Sequence, residues 1–87
     1  MASKKDAMVL VLTTGTKLIA TLEEVTTELG EPDCKLIEPY IITEHDTLEP
    51  WLLNITNQNV VMISSDKILT LVEPKTTLLA KYEDVFD

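Results

Sequence analysis

Hydrophobic and polar positions alternate along the first quarter of the chain in the way that is typical of two β-strands. The apolar residues that share one face of these two strands are Met8, Leu10, Leu12, Leu18, Ala20 and Leu22. Between the strands lies "TTGT", in which Gly15 supplies the positive φ that a tight turn needs. The pattern predicts a hairpin whose apolar faces form half of a core.

Three further runs predict more strands and a change of structure near the end of the chain. After the turn signal "GEPD", residues 34–42 read as a third strand, in which Pro39 requires an edge, a bulge or a bend because it has no N–H. The runs "WLLNI" and "VVMI" flank "TNQN" and predict either one long strand with a bulge or two short ones, and residues 67–72 form the last strand. Beyond Pro74, Leu78, Tyr82 and Val85 recur at helical spacing. The chain is therefore expected to form a small, strongly bent antiparallel barrel with a short terminal helix.

Length and charge limit the classes of function. The chain has 87 residues, and this length predicts a single domain over residues 1–87 with one modest core. Seven lysines, no arginine and fifteen acidic residues give a net charge of -8, which disfavours general coating of nucleic acid. Cys34 is the sole cysteine, and "AMVLVL" is too short for a targeting or membrane segment. We expect a soluble, cytoplasmic protein with no membrane partner.

Candidate chemistry in the sequence is sparse. A cluster of carboxylates would suit a hard cation, but it lacks EF-hand spacing and is interpreted as a solvated loop: Glu23, Glu24, Glu28, Glu31 and Asp33. His45 has acidic neighbours but no nucleophile beside it, and two glycines cannot build a phosphate-cradling loop. Trp51 is interpreted as a core or interface anchor in preference to a base-stacking platform. We expect no enzyme activity, no catalytic residue, no metal and no cofactor.

Two separated motifs resemble those of the Sm-like (LSm and Hfq) family. In the first, Gly15 falls on the family's turn glycine and Ala20 on a second glycine, at which the strand bends. The second motif of the family is an apolar residue followed by Arg-Gly, with further apolar residues five and eight positions after the first. Ile63, Ile68 and Leu71 match its apolar positions, and Ser64 and Ser65 stand in place of Arg-Gly. The resemblance covers residues 8–73 and implies a five-stranded antiparallel SH3-like barrel, followed by a C-terminal extension over residues 74–87. The departures from the family motifs leave a viral or mobile-element origin open.

The family resemblance implies binding of single-stranded, U-rich RNA in RNA metabolism. Aligning Leu36 with the start of the third strand puts Cys34 and Lys35 at the family's base-contacting pair. Lys35 and Lys67 would line the pore of the ring that the family forms. The candidate RNA contacts are Cys34, Lys35, Ser64, Ser65 and Lys67. None of them supplies the family's asparagine amide or its arginine. The alternative is an acidic protein-interaction ring that has lost the nucleotide pocket.

The resemblance also implies self-assembly into a ring of about five to seven copies, in which the fourth strand of one subunit pairs with the fifth strand of the next. The corresponding strands "VVMI" and "KILTLV" are apolar edges with little charge to block pairing. The candidate interface residues are Val60, Val61, Met62, Ile63, Ile68, Leu69 and Leu71. At -8 per chain, such a ring carries -40 to -56, which disfavours non-specific RNA wrapping.

Overall fold

The computed structural model describes residues 6–52 and 55–85, which fold into a mostly β domain with one short C-terminal helix. The strands are β1 (Ala7–Leu12), β2 (Lys17–Glu24), β3 (Cys34–Ile42), β4 (Leu48–Pro50), β5 (Val60–Ile63) and β6 (Ile68–Val72). The helix α1 spans Thr76–Asp84. Over these two ranges, no helix has the length and apolar character needed to cross a bilayer.

The predicted hairpin is confirmed by the antiparallel pairing of β1 with β2. Leu10 lies opposite Leu18, and Leu12 N donates to Thr16 O at 2.8 Å across the turn. Gly15 has a φ of 92°, a left-handed conformation that glycine adopts at little cost. Alternation along the strands therefore predicted both the pairing and the residue that allows the turn.

The sheet has six strands instead of the five that were expected. Its order is β4-β3-β2-β1-β6, and β5 also pairs with β3. β3 thus has three partners: besides β2, it pairs with β4 beside Tyr40–Ile42 and with β5 beside Cys34–Ile37. The described residues of "WLLNI", which are Trp51, Leu52 and Ile55, do not lie in a strand, and Leu53 and Asn54 are outside the described residues. β4 ends at Pro50, and Leu52 has a φ of 64°, outside the β region.

The expected barrel does not close. In the described part of the chain, β5 pairs with β3 and β6 pairs with β1, and the two strands do not pair with each other. They are joined by a 3₁₀ turn over Ser65–Lys67, at the end of which Lys67 O accepts a hydrogen bond from Thr13 N at 2.9 Å. This contact holds the start of β6 beside the β1–β2 hairpin, so that β6 continues along β1 instead of returning along β5.

The curved sheet encloses one apolar cluster. Its fully or almost fully buried members are Leu10, Leu12, Leu18, Ala20 and Leu36. Val61 and Ile63 of β5 and Ile68 of β6 pack against the same cluster, although these two strands are not hydrogen-bonded to each other. The two free edges are therefore held near one another by side-chain packing around a shared core.

Helix α1 covers the opposite face of the sheet. Tyr82 is fully buried with Ala7 and Ile19, and Leu78 and Leu79 pack beside them. The Tyr82 hydroxyl donates a hydrogen bond to Glu38 O at 2.8 Å. The segment expected as an extension of the domain therefore contributes a second core cluster.

Candidate functional site

Two loops that carry predicted site residues meet at one end of the sheet. Asp33 immediately precedes β3, and Ser65 opens the 3₁₀ turn that follows β5. Ser65 N donates to Asp33 Oδ1 at 2.7 Å, and Ser65 Oγ donates to Asp33 Oδ2 at 2.8 Å. Both carboxylate oxygens are thus engaged by one residue, which ties together segments 32 positions apart.

The hydrogen bonds from Ser65 favour the ionised carboxylate. The backbone N–H of Ser65 is the largest cause of a lowered pKa of Asp33, and the Ser65 hydroxyl is the second. Asp33 is therefore a carboxylate at neutral pH. The contact places a negative charge directly before Cys34 and Lys35, the pair at which the resemblance to the Sm-like family implied base contacts.

The residues of β3 that were predicted to contact RNA point in different directions. Cys34 is 4% exposed, and burial, followed by the charges of Asp33 and Glu24, raises the pKa of its thiol. A buried, protonated thiol is unreactive and offers little surface to a ligand. Lys35 is half-buried and lies opposite Met62 of β5.

The other predicted RNA contacts lie on the turn between β5 and β6. Ser64 is half-buried, whereas Ser65 and Lys67 are exposed. The structure brings Ser65 beside the start of β3, but its partner Asp33 was predicted only as part of a solvated acidic loop. β3 begins at Cys34, two positions before Leu36, so the residue just before the strand is Asp33. The end of the turn signal "GEPD" was the available indication of this boundary.

An acidic cavity of about 330 Å³ opens beside the Asp33–Ser65 contact. Its lining consists of Leu29, Gly30, Glu31, Asp33, Ser64, Ser65 and Asp66. Three of these residues carry carboxylates, and none of the lining residues is a lysine. Across the described ranges, no three His, Cys, Asp or Glu side chains are arranged to hold a metal ion. The local charge therefore disfavours a phosphate group in this cavity.

The edges of β5 and β6 expose apolar side chains to solvent. The exposed fractions are 46% for Met62, 69% for Leu69, 42% for Leu71 and 47% for Val72. The other predicted interface residues are half-buried, namely Val60, Val61, Ile63 and Ile68. Val72 was not among the predicted interface residues, although it ends the same apolar strand. No charged residue lies within either strand, so nothing in the sequence blocks further strand pairing at these edges.

A second cavity, of about 390 Å³, lies where β3 changes partner from β5 to β4. Glu38, Pro39 and Tyr40 of β3 form one wall. The other lining residues are Pro50, Trp51, Thr56, Asn57, Gln58 and Asn59. The lining residues include two aromatic residues, three with side-chain amides and one glutamate, and no sequence pattern predicted that they would converge.

Comparison with known proteins gives one match that spans nearly the whole chain. Residues 5–87 match the model of a family of unknown function, DUF6561. The chain belongs to this family. No curated protein matches the chain. The function of DUF6561 is unknown, so a function for this chain has to be inferred from the geometry of its strand edges and cavities.

Proposed function

We propose that this chain is a self-assembling β module that forms a closed ring and presents an acidic surface to protein partners. The observation that carries the proposal is the pair of free edges, β5 and β6, which expose Met62, Leu69, Leu71 and Val72. Burying such side chains is favourable, and unpaired strand edges gain backbone hydrogen bonds on association. A second copy of the chain supplies both complementary surfaces.

Ring closure is proposed because the two edges are different strands of one subunit. Pairing β5 of one copy with β6 of the next is a heterologous contact, and such contacts either close into a ring or grow without limit. The resemblance to Sm-like proteins supports closure, since their fourth and fifth strands pair in this way between subunits. β5 and β6 occupy the equivalent places on either side of the Ser65–Lys67 turn.

Further support for a divergent Sm-like domain comes from the irregular pairing of β2 with β3. The pairing of β2 with β3 changes register between Ile19 and Thr21, around the position where the family motif has its second glycine. Ala20 occupies that position and is fully buried, so a small residue there suits the close packing. The order of the paired strands is also compatible with this proposal.

Protein partners are favoured over RNA because of the charge around the Asp33–Ser65 contact. Glu31, Asp33 and Asp66 line the cavity at the place where the family resemblance put a nucleotide. RNA binding depends largely on neutralising phosphates, and carboxylates oppose it. Binding of U-rich RNA through Lys35 and Lys67 is the competing function, and it is supported by the family resemblance alone.

Native mass spectrometry of the full chain, with and without a short oligouridine at near-physiological ionic strength, tests the proposed function. The expected result is a discrete multiple of the 9.8 kDa chain mass, with no oligouridine retained. A monomer at all protein concentrations would contradict the ring. A ring that retains oligouridine would contradict the loss of nucleotide binding and would support the RNA function instead.

A further inference from the structure

The backbone of Glu38 and Pro39 forms one wall of the 390 Å³ cavity, between the residues of β3 that pair with β5 and those that pair with β4. The hydrogen-bonding groups of this backbone are already occupied. Glu38 N donates to Asn59 O at 2.6 Å, and Trp51 N donates to Pro39 O at 3.1 Å. Glu38 O accepts a hydrogen bond from the Tyr82 hydroxyl at 2.8 Å, and proline has no N–H. An incoming β-strand therefore gains no backbone hydrogen bond from this wall.

Trp51 and two prolines supply the apolar part of the lining. Pro39 is buried, Pro50 is exposed and Trp51 is half-buried. Trp51 packs against the apolar cluster enclosed by the sheet, and its backbone is held by the hydrogen bond to Pro39. The core thus fixes the Trp51 ring from one side, and its other side borders the cavity as a flat apolar surface.

The loop before β5 adds side-chain amides to the lining, at the exposed residues Asn57, Gln58 and Asn59. Gln58 Nε2 donates to Val60 O at 3.1 Å, which ties this loop to the start of β5. Within the described residues, the side-chain amides of Asn57 and Asn59 and the indole N–H of Trp51 form no hydrogen bond. These three groups can donate to a ligand that brings carbonyl oxygens.

We propose that this cavity binds a proline-rich segment of a protein partner, with basic residues beside the prolines, an inference that rests on the proposed protein-binding function. A polyproline II segment has no internal hydrogen bonds, so its carbonyls accept from the amides and the indole N–H while its proline rings pack on Trp51. Its conformation is preformed, so binding costs little conformational entropy. A helix uses its carbonyls in its own hydrogen bonds and would leave the amides without acceptors.

The charge of the chain selects the residues beside the prolines. The net charge is -8, and among the described lining residues there is no lysine or histidine. The exposed Glu49 directly precedes Pro50 of the cavity wall. Basic side chains beside the prolines are therefore attracted to this surface, and acidic ones are repelled. A nucleobase would stack on Trp51 but would bring a phosphate toward an acidic molecule.

Trp51 is the only tryptophan in the chain, so its fluorescence reports directly on this cavity. The experiment titrates the full chain with the capped peptide Lys-Pro-Pro-Ala-Pro-Pro-Lys. One control peptide, Lys-Ala-Ala-Ala-Ala-Ala-Lys, keeps the charge without the prolines, and another, Glu-Pro-Pro-Ala-Pro-Pro-Glu, keeps the prolines and reverses the charge. We expect a saturable change in Trp51 fluorescence with the first peptide, and binding at least tenfold weaker with either control.

Two variants that each remove one exposed polar group locate the binding site. Asn57→Ala removes an amide from the cavity lining, whereas Thr26→Ala removes a hydroxyl from the loop between β2 and β3. We expect Asn57→Ala to weaken binding of the basic proline peptide about fivefold, as the loss of one hydrogen bond does, and Thr26→Ala to change it less than twofold. Circular dichroism of both variants checks that the fold is retained.

Several outcomes would overturn the proline-binding site. These are equal binding of the proline and alanine peptides, equal or stronger binding of the acidic peptide, equal effects of the two variants, and a saturable response to oligouridine without one to the basic proline peptide. Native mass measurements on the same samples separate this inference from the proposed function. A ring without peptide binding refutes the proline-binding site alone, and peptide binding by a monomer refutes the ring alone.

Discussion

The contact between Asp33 and Ser65 shows how one residue pair fixes the end of the sheet that carries the acidic cavity. A carboxylate that accepts both a backbone N–H and a hydroxyl is held in one orientation, and here it joins the loop before β3 to the turn after β5. The same turn leads into β6. The Asp33–Ser65 pair therefore positions the turn that separates the two proposed assembly edges.

Ser65→Ala should lower the stability of the domain at neutral pH, because it removes the hydrogen bond from Ser65 Oγ to Asp33 Oδ2. The folded state lowers the pKa of Asp33 from 3.8, so this contribution is fully present above that pH. It is lost as the pH falls through the lowered pKa of the folded state. The stability difference between wild type and Ser65→Ala should therefore narrow in acid, as measured by urea unfolding at neutral pH and below pH 3.8.

Ser64→Ala is the matched control for that prediction. It makes the same chemical change one position earlier, where the Ser64 side chain forms no capping hydrogen bond with the 3₁₀ turn. Its unfolding midpoint should stay close to that of wild type at both pH values. Equal losses for the two variants, or a Ser65→Ala effect that does not change with pH, would contradict a specific role for the Asp33–Ser65 contact.

The sequence indicated some of these residues but not their partners. Ser64 and Ser65 are indicated by the sequence because they replace Arg-Gly between the apolar residues of the second motif. The predicted third strand over residues 34–42 matches β3, but Asp33 just before it was predicted only as part of a solvated acidic loop. The cavity beside Glu38 was not predictable by pattern. It depends on contacts between residues far apart in the chain, such as Glu38 N with Asn59 O and the Tyr82 hydroxyl with Glu38 O.

At the scale of elements, α1 is held to the sheet by a buried aromatic residue with a polar end. The Tyr82 ring lies in the second core cluster, while its hydroxyl donates to the carbonyl of Glu38, where the pairing of β3 with β2 shifts register. Burial raises the pKa of Tyr82, and the charge of Glu38 adds to the increase, so the hydroxyl stays protonated and remains a donor. The helix thus supports both the sheet and the cavity wall.

Tyr82→Phe should destabilise the domain by about 1 to 3 kcal/mol, because the ring still fills its place but the carbonyl of Glu38 loses its donor. Chemical denaturation followed by circular dichroism measures this loss. Val85→Ala, at an exposed position beside the C-terminal end of α1, should cost less than about 0.5 kcal/mol. A Tyr82→Phe variant as stable as Val85→Ala would show that the hydroxyl contact does not anchor the helix.

Elements with a regular apolar period were predicted well, and an irregular one was not. Alternation gave the β1–β2 hairpin, and helical spacing after Pro74 gave α1. The apolar character of "WLLNI" predicts a strand, but Trp51 packs against the core from a turn and Leu52 has a positive φ. Leu53 and Asn54 lie outside the described residues. Hydrophobicity alone did not reveal that this segment leaves the sheet.

At the scale of the whole molecule, the central feature is a sheet that encloses a core without closing on itself. β5 and β6 pack on the same cluster but pair with different strands, and their outer edges carry apolar residues without charge. A stable monomer ordinarily protects such edges with charges, prolines or bulges. Unprotected edges on two different strands are therefore consistent with the proposed pairing between copies, which would bury both.

The most direct test of that claim is the solution mass of two leucine variants, determined by sedimentation equilibrium over a range of protein concentrations. Leu69→Lys puts a charge on β6, where the native side chain is 69% exposed, so the fold should tolerate it. Leu29→Lys makes the same substitution at a fully exposed position in the loop between β2 and β3. We expect an assembly for wild type and Leu29→Lys and a 9.8 kDa monomer for Leu69→Lys. The same solution mass for wild type, Leu29→Lys and Leu69→Lys would contradict assembly through the edge of β6.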